Sequence, residues 1–334
     1  MDKQFVSDLV VNAKVASPFL ARDKSLVSFR NREGKFLSVT LGDRTGEIKA
    51  VLWDNAEQVA EGFSEGDVVA VRGAVGEYQG KLQIVLSSVE VGVEDTYDPE
   101  DMTVRSERTQ RELLVWLDET VALVEHPHLR ALLDSFFGDP ALRRRLVQAH
   151  GARSLHHAYV GGLLEHTLSV VRLLLTVAEM HPEMSRDLLV TGGLLHDLGK
   201  LDELEGEMAA QYTDLGRFVG HTVITDRLVT ARIAQIEGFS DQLANLLTHM
   251  LLSHHGEKEW GAPVEPCTME ACALHYADNL DARVQGYKRV IQQGAASDRS
   301  WSEFHRSYGR EIYLGPAPTW PETGPDLPPD RLDL

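Results

Sequence analysis

The stretch Leu194-Leu195-His196-Asp197-Leu198-Gly199-Lys200 decides how this chain is read. An imidazole and a carboxylate side by side can ligate one divalent cation. Asp197 has two oxygens and can bridge two. The flanking leucines imply burial, and a buried carboxylate is costly unless a cation or another partner meets it. A surface ion pair is therefore the weaker reading. Gly192 and Gly193 leave room for a second helix to approach closely. Counted along a helix, Lys200 falls four residues after His196, on one face, where its ammonium would reach an anionic substrate.

Further donors lie on either side. His166 follows Gly161-Gly162-Leu163-Leu164-Glu165, and His221 follows Gly220. His254 and His255 end an apolar repeat that begins near Asp241, and Asp278 sits inside Leu274-His-Tyr-Ala-Asp-Asn-Leu280. Mixed imidazole and carboxylate donors suit Mn, Fe, Zn or Co better than an all-oxygen Mg or Ca cage. Apolar residues recur at helical spacing through this whole region, as in Leu113, Leu114, Leu117, Val121 and Val124. Breakers such as Pro127, Gly138-Asp-Pro140 and Pro182 separate the runs. Upstream the pattern is different. Lys35–Leu41, Gly46–Trp53, Asp67–Arg72 and Lys81–Leu86 read as short strands punctuated by glycine, with 73–80 as a connecting loop, which predicts a small barrel.

The 334 residues are 43% hydrophobic and 25% charged, enough for two or three domains and unlike a collagen or a disordered chain. No apolar run reaches the ~18–20 residues of a membrane span, and the N-terminus lacks a basic stretch followed by an apolar one. Cys267 and Cys272 are expected to be free thiols in a reducing cytoplasm. The net charge is −18, which excludes non-specific coating of nucleic acid. Residues 1–93 hold 11 basic and 13 acidic residues, so nearly all the excess acid lies downstream. An acidic helical part that handles phosphate would need bound cations.

The order His166 … His196-Asp197 … Asp278 resembles the HD metal-dependent phosphohydrolase superfamily. His221 and His254 resemble the additional ligands of its binuclear branch, with His255 competing for the place of His254. The segments His156-His-Ala-Tyr-Val-Gly-Gly-Leu-Leu-Glu-His166, Tyr212-Thr-Asp-Leu-Gly-Arg-Phe-Val-Gly-His221, Leu252-Ser-His-His-Gly256 and Leu274–Ala282 narrow this to the YhaM family of 3′→5′ exoribonucleases. Phe36-Leu-Ser-Val-Thr-Leu-Gly-Asp-Arg-Thr-Gly-Glu-Ile-Lys-Ala-Val-Leu-Trp-Asp54 is similar to OB-folds that bind nucleic acid.

The resemblance implies a multidomain chain, a small all-β OB-fold barrel followed by an all-α HD domain. Its parts would be 1–93 (nucleic-acid-binding barrel), 94–105 (linker), 106–150 (helical connection), 151–292 (HD domain) and 293–334 (a proline-rich, partly disordered extension). It implies hydrolysis of single-stranded RNA, and by extension single-stranded DNA, to nucleoside monophosphates. Two divalent metal ions are expected, Mn2+ foremost, with Fe, Co or Mg as alternatives. Asp197 and Lys200 would be catalytic. His166, His196, Asp197, His221, His254 and Asp278 would be the ligands. His156, His157, His255, His275 and Tyr212 would face substrate or support ligands. In the barrel, Phe29, Arg30, Arg32, Lys35, Trp53, Tyr78 and Lys81 would supply stacking and phosphate contacts, although Phe36 and Trp53 also suit the barrel interior. Apolar faces on helices within 106–150 would give subunit contacts in a homo-oligomer. Two competing readings are a phosphohydrolase of free or cyclic nucleotides and a non-catalytic nucleic-acid-binding regulator.

Overall fold

A computed structural model describes residues 3–29, 33–91, 97–103, 106, 108–153, 157, 159–206, 208–294 and 299–315. Arg30, Arg32, His156, residues 94–96, 104 and 105 of the expected linker and the proline-rich tail from 316 onward lie outside the described residues. Chain contacts define two compact units, Met1–Ala282 and Arg283–Leu334.

In the first unit, β1 (Lys14–Ser28), β2 (Lys35–Asp43), β3 (Gly46–Leu52), β4 (Val68–Tyr78) and β5 (Lys81–Glu90) form a closed barrel in the order β1-β2-β3-β5-β4, with helix α1 (Ala56–Glu61) between β3 and β4. Closure depends on the length of β1. Its first half pairs with β4, and from Leu20 onward it pairs with β2, across a bulge between Arg22 and Ser25. Phe19, Leu37, Val39, Leu41, Val71 and Ile84 alternate inward to fill the interior.

The expected loop at 73–80 is strand instead. β4 runs on to Tyr78, and only Gln79 and Gly80, both at positive φ, make the turn. Gly73 marks a bulge: the register slips between Arg72 and Gly73, and a Cβ there would collide with the Val85 carbonyl.

The rest is helical: α2 (Pro99–Met102), α3 (Gln110–Ala122), α4 (Pro127–Phe137), α5 (Pro140–Gln148), α6 (Gly162–Met180), α7 (Arg186–Leu195), α8 (Lys200–Glu203), the short hairpin β6 (Leu204–Glu205) and β7 (Gln211–Tyr212), then α9 (Asp214–Val219), α10 (His221–Ile233), α11 (Asp241–Ser253) and α12 (Met269–Gly294). Two of the prolines begin helices. Pro127 and Pro140 occupy first turns, where no backbone N–H is needed. The faces expected to be exposed on 106–150 are buried. Leu113, Leu117, Leu129, Leu133 and Leu146 share one core with Leu168, Leu174, Leu189 and Leu274. The second unit carries the end of α12 and two isolated bridges, Trp301 with Tyr313 and His305 with Arg310. Among the described residues, no helix is long and apolar enough to cross a membrane.

α7 threads the centre of the helical core through its two glycines. A Cβ on Gly193 would lie 2.8 Å from Leu174 Cδ1 and 2.9 Å from Val171 Cγ2. Alanine normally gains up to ~1 kcal/mol over glycine in a helix, but overpacking a filled core costs about 1–3 kcal/mol. Gly193→Ala is therefore expected to lower the urea midpoint of unfolding. A raised midpoint would refute this account of α6–α7 packing.

Candidate metal centre

The His-Asp pair is not within a helix. α7 ends at Leu195, and residues 196–199 form the turn into α8. Lys200 therefore sits over Asp197 rather than over His196, with Nζ 2.7 Å from Asp197 Oδ2. The turn is pressed onto α10. A Cβ on Gly199 would collide with the His221 carbonyl and lie 2.8 Å from Thr225 N. Gly199 N–H donates to Thr225 Oγ1 at 2.8 Å, and that hydroxyl donates to His196 O at 3.3 Å.

Asp197 is 2% exposed and faces two groups of imidazoles. Its Oδ2 lies 3.5 Å from His166 Nε2 and 3.4 Å from His196 Nε2. Its Oδ1 lies 3.4 Å from His221 Nε2 and 3.8 Å from His254 Nε2. Asp278 Oδ1 is 3.1 Å from His166 Nε2. His166, His196 and Asp197 form one group able to hold a metal ion, and His221, His254 and His255 form another. His254 and His255 are thus not exclusive alternatives.

All five rings are oriented the same way. Each Nδ1 donates to an acceptor, so that in the neutral ring Nε2 is the atom with the lone pair. The acceptors are Asp281 for His166 (2.7 Å), the Gly193 carbonyl for His196 (2.8 Å), Glu203 for His221 (2.9 Å), the Leu251 carbonyl for His254 (2.7 Å) and the Trp260 carbonyl for His255 (3.0 Å). His221 Nε2 and His255 Nε2 then point lone pairs at each other across 3.2 Å, an arrangement relieved only by a proton or a cation between them. The buried Nε2 atoms of His196 and His254 have no hydrogen-bond partner among the described residues. The residues present fit divalent transition cations.

Electrostatics agree. Burial would raise the Asp197 pKa, but the charges of Lys200 and His196 hold it well below the usual carboxylate range. Burial likewise opposes ionisation of Asp278, and the hydrogen bond and charge of His166 overcome it. Burial, then neighbouring His255 and His196, hold His254 well below the ordinary histidine value, which favours the neutral ring. Burial would lower His166 too, but hydrogen bonds to Asp278 and Asp281 raise it to about 9. These carboxylates favour positive charge at this spot.

The remaining candidates divide. His157 binds Asp281, and His275 Nδ1 donates to the His254 carbonyl at 2.9 Å, bracing the end of α11. Tyr212 is exposed on β7 and outside the ligand groups found among the described residues. Asp281 and Glu203 were not foreseen. Asp281 had one available signal, its place one turn beyond Asp278. On the barrel, Phe29, Phe36 and Trp53 form an aromatic cluster, with Phe29 and Trp53 stacked at 6.0 Å and Phe36 4.9 Å from Trp53. Trp53 is 41% exposed rather than interior, because Leu37 and Leu52 take the inward positions beside Phe36 and Trp53. Lys35 pairs with Glu57 at the surface, and Tyr78 and Lys81 face each other beside the Gln79-Gly80 turn.

Residues 24–91 match the tRNA_anti-codon family, described as an OB-fold nucleic acid binding domain, and residues 163–283 match the HD domain. Several curated relatives are called 3′-5′ exoribonuclease YhaM. That of Listeria monocytogenes serotype 4b (strain F2365) is 33% identical over 87% of this chain and 93% of its own length. That of Geobacillus sp. (strain WCH70) is 31% identical over 83% of this chain and 86% of its own. That of Bacillus subtilis (strain 168) is 30% identical over 83% and 89%.

Because these imidazoles and carboxylates come together only in the folded chain, a divalent transition metal is expected to stabilise the fold. At a thousandfold excess over Kd the gain is about 4 kcal/mol. Calorimetric melting with EDTA and then with excess Mn2+ checks this, and an unmoved Tm would contradict it.

Proposed function

The chain belongs to the YhaM family of 3′-5′ exoribonucleases, and from that premise we propose that it degrades single-stranded RNA from the 3′ end to nucleoside monophosphates through a two-cation site. His166, His196, Asp197 and Asp278 would hold one cation. Asp197, His221, His254 and His255 would hold the other. The observation that carries this reading is the division of Asp197, whose two oxygens face separate imidazole groups. When bound, the cations would supply Lewis acidity toward a phosphodiester and lower the pKa of water from ~15.7 toward ~7.

The chain's own side chains do the rest. Lys200 keeps Asp197 ionised and adds positive charge beside the phosphoryl oxygens. Glu203 fixes His221 by accepting from both its backbone N–H and its Nδ1. The barrel holds the strand by stacking bases on Phe29, Phe36 and Trp53, with Lys35, Tyr78 and Lys81 as further contacts. This grip is sequence-tolerant, because every base has a π-face, and it extends to single-stranded DNA. Mn2+ is the proposed physiological cation.

Asp197→Ala is expected to reduce hydrolysis of 5′-labelled single-stranded RNA by at least about a thousandfold while RNA binding persists. Turnover near the wild-type rate would overturn the two-cation reading. A panel of free and cyclic nucleotides run beside the RNA tests the substrate class. Stacking on an aromatic contributes about 1–3 kcal/mol per base. Trp53→Ala should therefore raise KM on a long oligomer by roughly tenfold and leave a dinucleotide nearly unaffected. Equal effects on both substrates would remove the barrel from substrate binding.

A further inference from the structure

The ring of His166 is clasped between two acids from one turn of α12. Asp278 lies against Nε2 at 3.1 Å, and Asp281 accepts from Nδ1 at 2.7 Å. The other four ligand rings find their Nδ1 acceptors close by. His196 and His254 follow helix ends and use the carbonyls three residues back, which no intrahelical N–H claims. His255 uses a loop carbonyl, and His221 uses Glu203. His166 has no such resource. It lies in the second turn of α6, where the preceding carbonyls accept the helix's own N–H groups. A side chain must orient its ring, and that side chain is 115 residues away.

Asp281 is itself braced. The oxygen that accepts from His166 also meets His157 Nε2 at 2.8 Å. His157 Nδ1 meets the Tyr159 hydroxyl at 2.9 Å, and that hydroxyl donates to Glu165 at 3.0 Å. His157 is held in place by its main chain. It is buried at φ +50°, a conformation uncommon outside glycine. Gly151 N–H donates to its carbonyl at 2.8 Å. A Cβ on Gly151 would lie 2.6 Å from His157 Cβ, and one on Gly162 would collide with the His157 carbonyl. Such a conformation persists only where its surroundings over-determine it, and it is a pointer to function. His157, His166 and Asp281 also pass as a metal-binding group on distance, but separations of 2.7 and 2.8 Å are those of charge-assisted hydrogen bonds.

We propose that Asp281 is the positioning residue for His166, and that the chain Glu165–Tyr159–His157 braces Asp281 in that role. Asp281 fixes the His166 tautomer, so that Nε2 presents its lone pair beside Asp278 and Asp197. It ligates no cation and touches no substrate. One turn of α12 thus carries a ligand and the acid that aims a neighbouring ligand. His157, expected only to support the site in some way, acts at two removes from the cation.

This rests on the two-cation reading, and calorimetric titration of the full chain with Mn2+ separates the two claims. The wild-type stoichiometry tests the reading, and the ratio of variant to wild-type affinity tests Asp281. Asp281→Ala is expected to weaken one Mn2+ site by roughly 10–100-fold and leave the other unmoved. Asp281→Asn, which keeps a carbonyl acceptor for Nδ1–H, should recover most of that loss. His157→Gln should give a smaller weakening at the same site. An Asp281→Ala isotherm that superimposes on wild type would overturn the proposal. So would equal weakening of both sites by Asp281→Ala and Asp281→Asn, the mark of general structural damage. If Asp281→Ala does not fold, Asp281→Asn and His157→Gln decide alone, and wild-type affinity in both would refute the role.

Discussion

A carboxylate sealed from solvent tolerates only positive or proton-donating neighbours, and Asp197 is sealed almost completely. Four imidazole nitrogens and one ammonium surround it, and every imidazole turns its Nε2 toward the carboxylate while Nδ1 is engaged elsewhere. Among the described residues nothing fully satisfies that set. Lys200 supplies one charge, and His166, raised to about 9, takes up a proton. The fold gathers carboxylates and imidazole nitrogens at one point, so cation binding and folding are linked.

How much of this was legible follows from what each residue must do. Ligation demands particular side-chain types, so His166, His196, Asp197 and Asp278 stood out from the sequence, as did His221, His254 and His255. Orientation demands only an acceptor somewhere in space. Asp281 and Glu203 have no fixed spacing from the rings they hold, and they were missed. The alternation of strands was readable, but Trp53 suited both the interior and the binding face, and only the inward place of Leu52 turns it outward. Gly73 looked like loop punctuation, whereas it marks a bulge where strands crowd together. The helices of 106–150 looked separable because periodicity shows that a helix has an apolar face, but not what covers it.

The charge distribution now has a physical sense. The downstream part of the chain carries nearly all of the −18 excess and would repel a polyanion without cations at its centre. The barrel is almost neutral and presents stacked rings instead of a strong positive field. Its hold on a strand should depend weakly on ionic strength compared with proteins that neutralise many phosphates.

At Gly199 main chain rests on main chain. The spacing between the His-Asp turn and the helix bearing His221 is set by that contact and locked by Thr225. Any side chain at 199 would push the two segments apart and carry His221 away from Asp197. A residue with no chemistry of its own thereby gauges the reactive geometry.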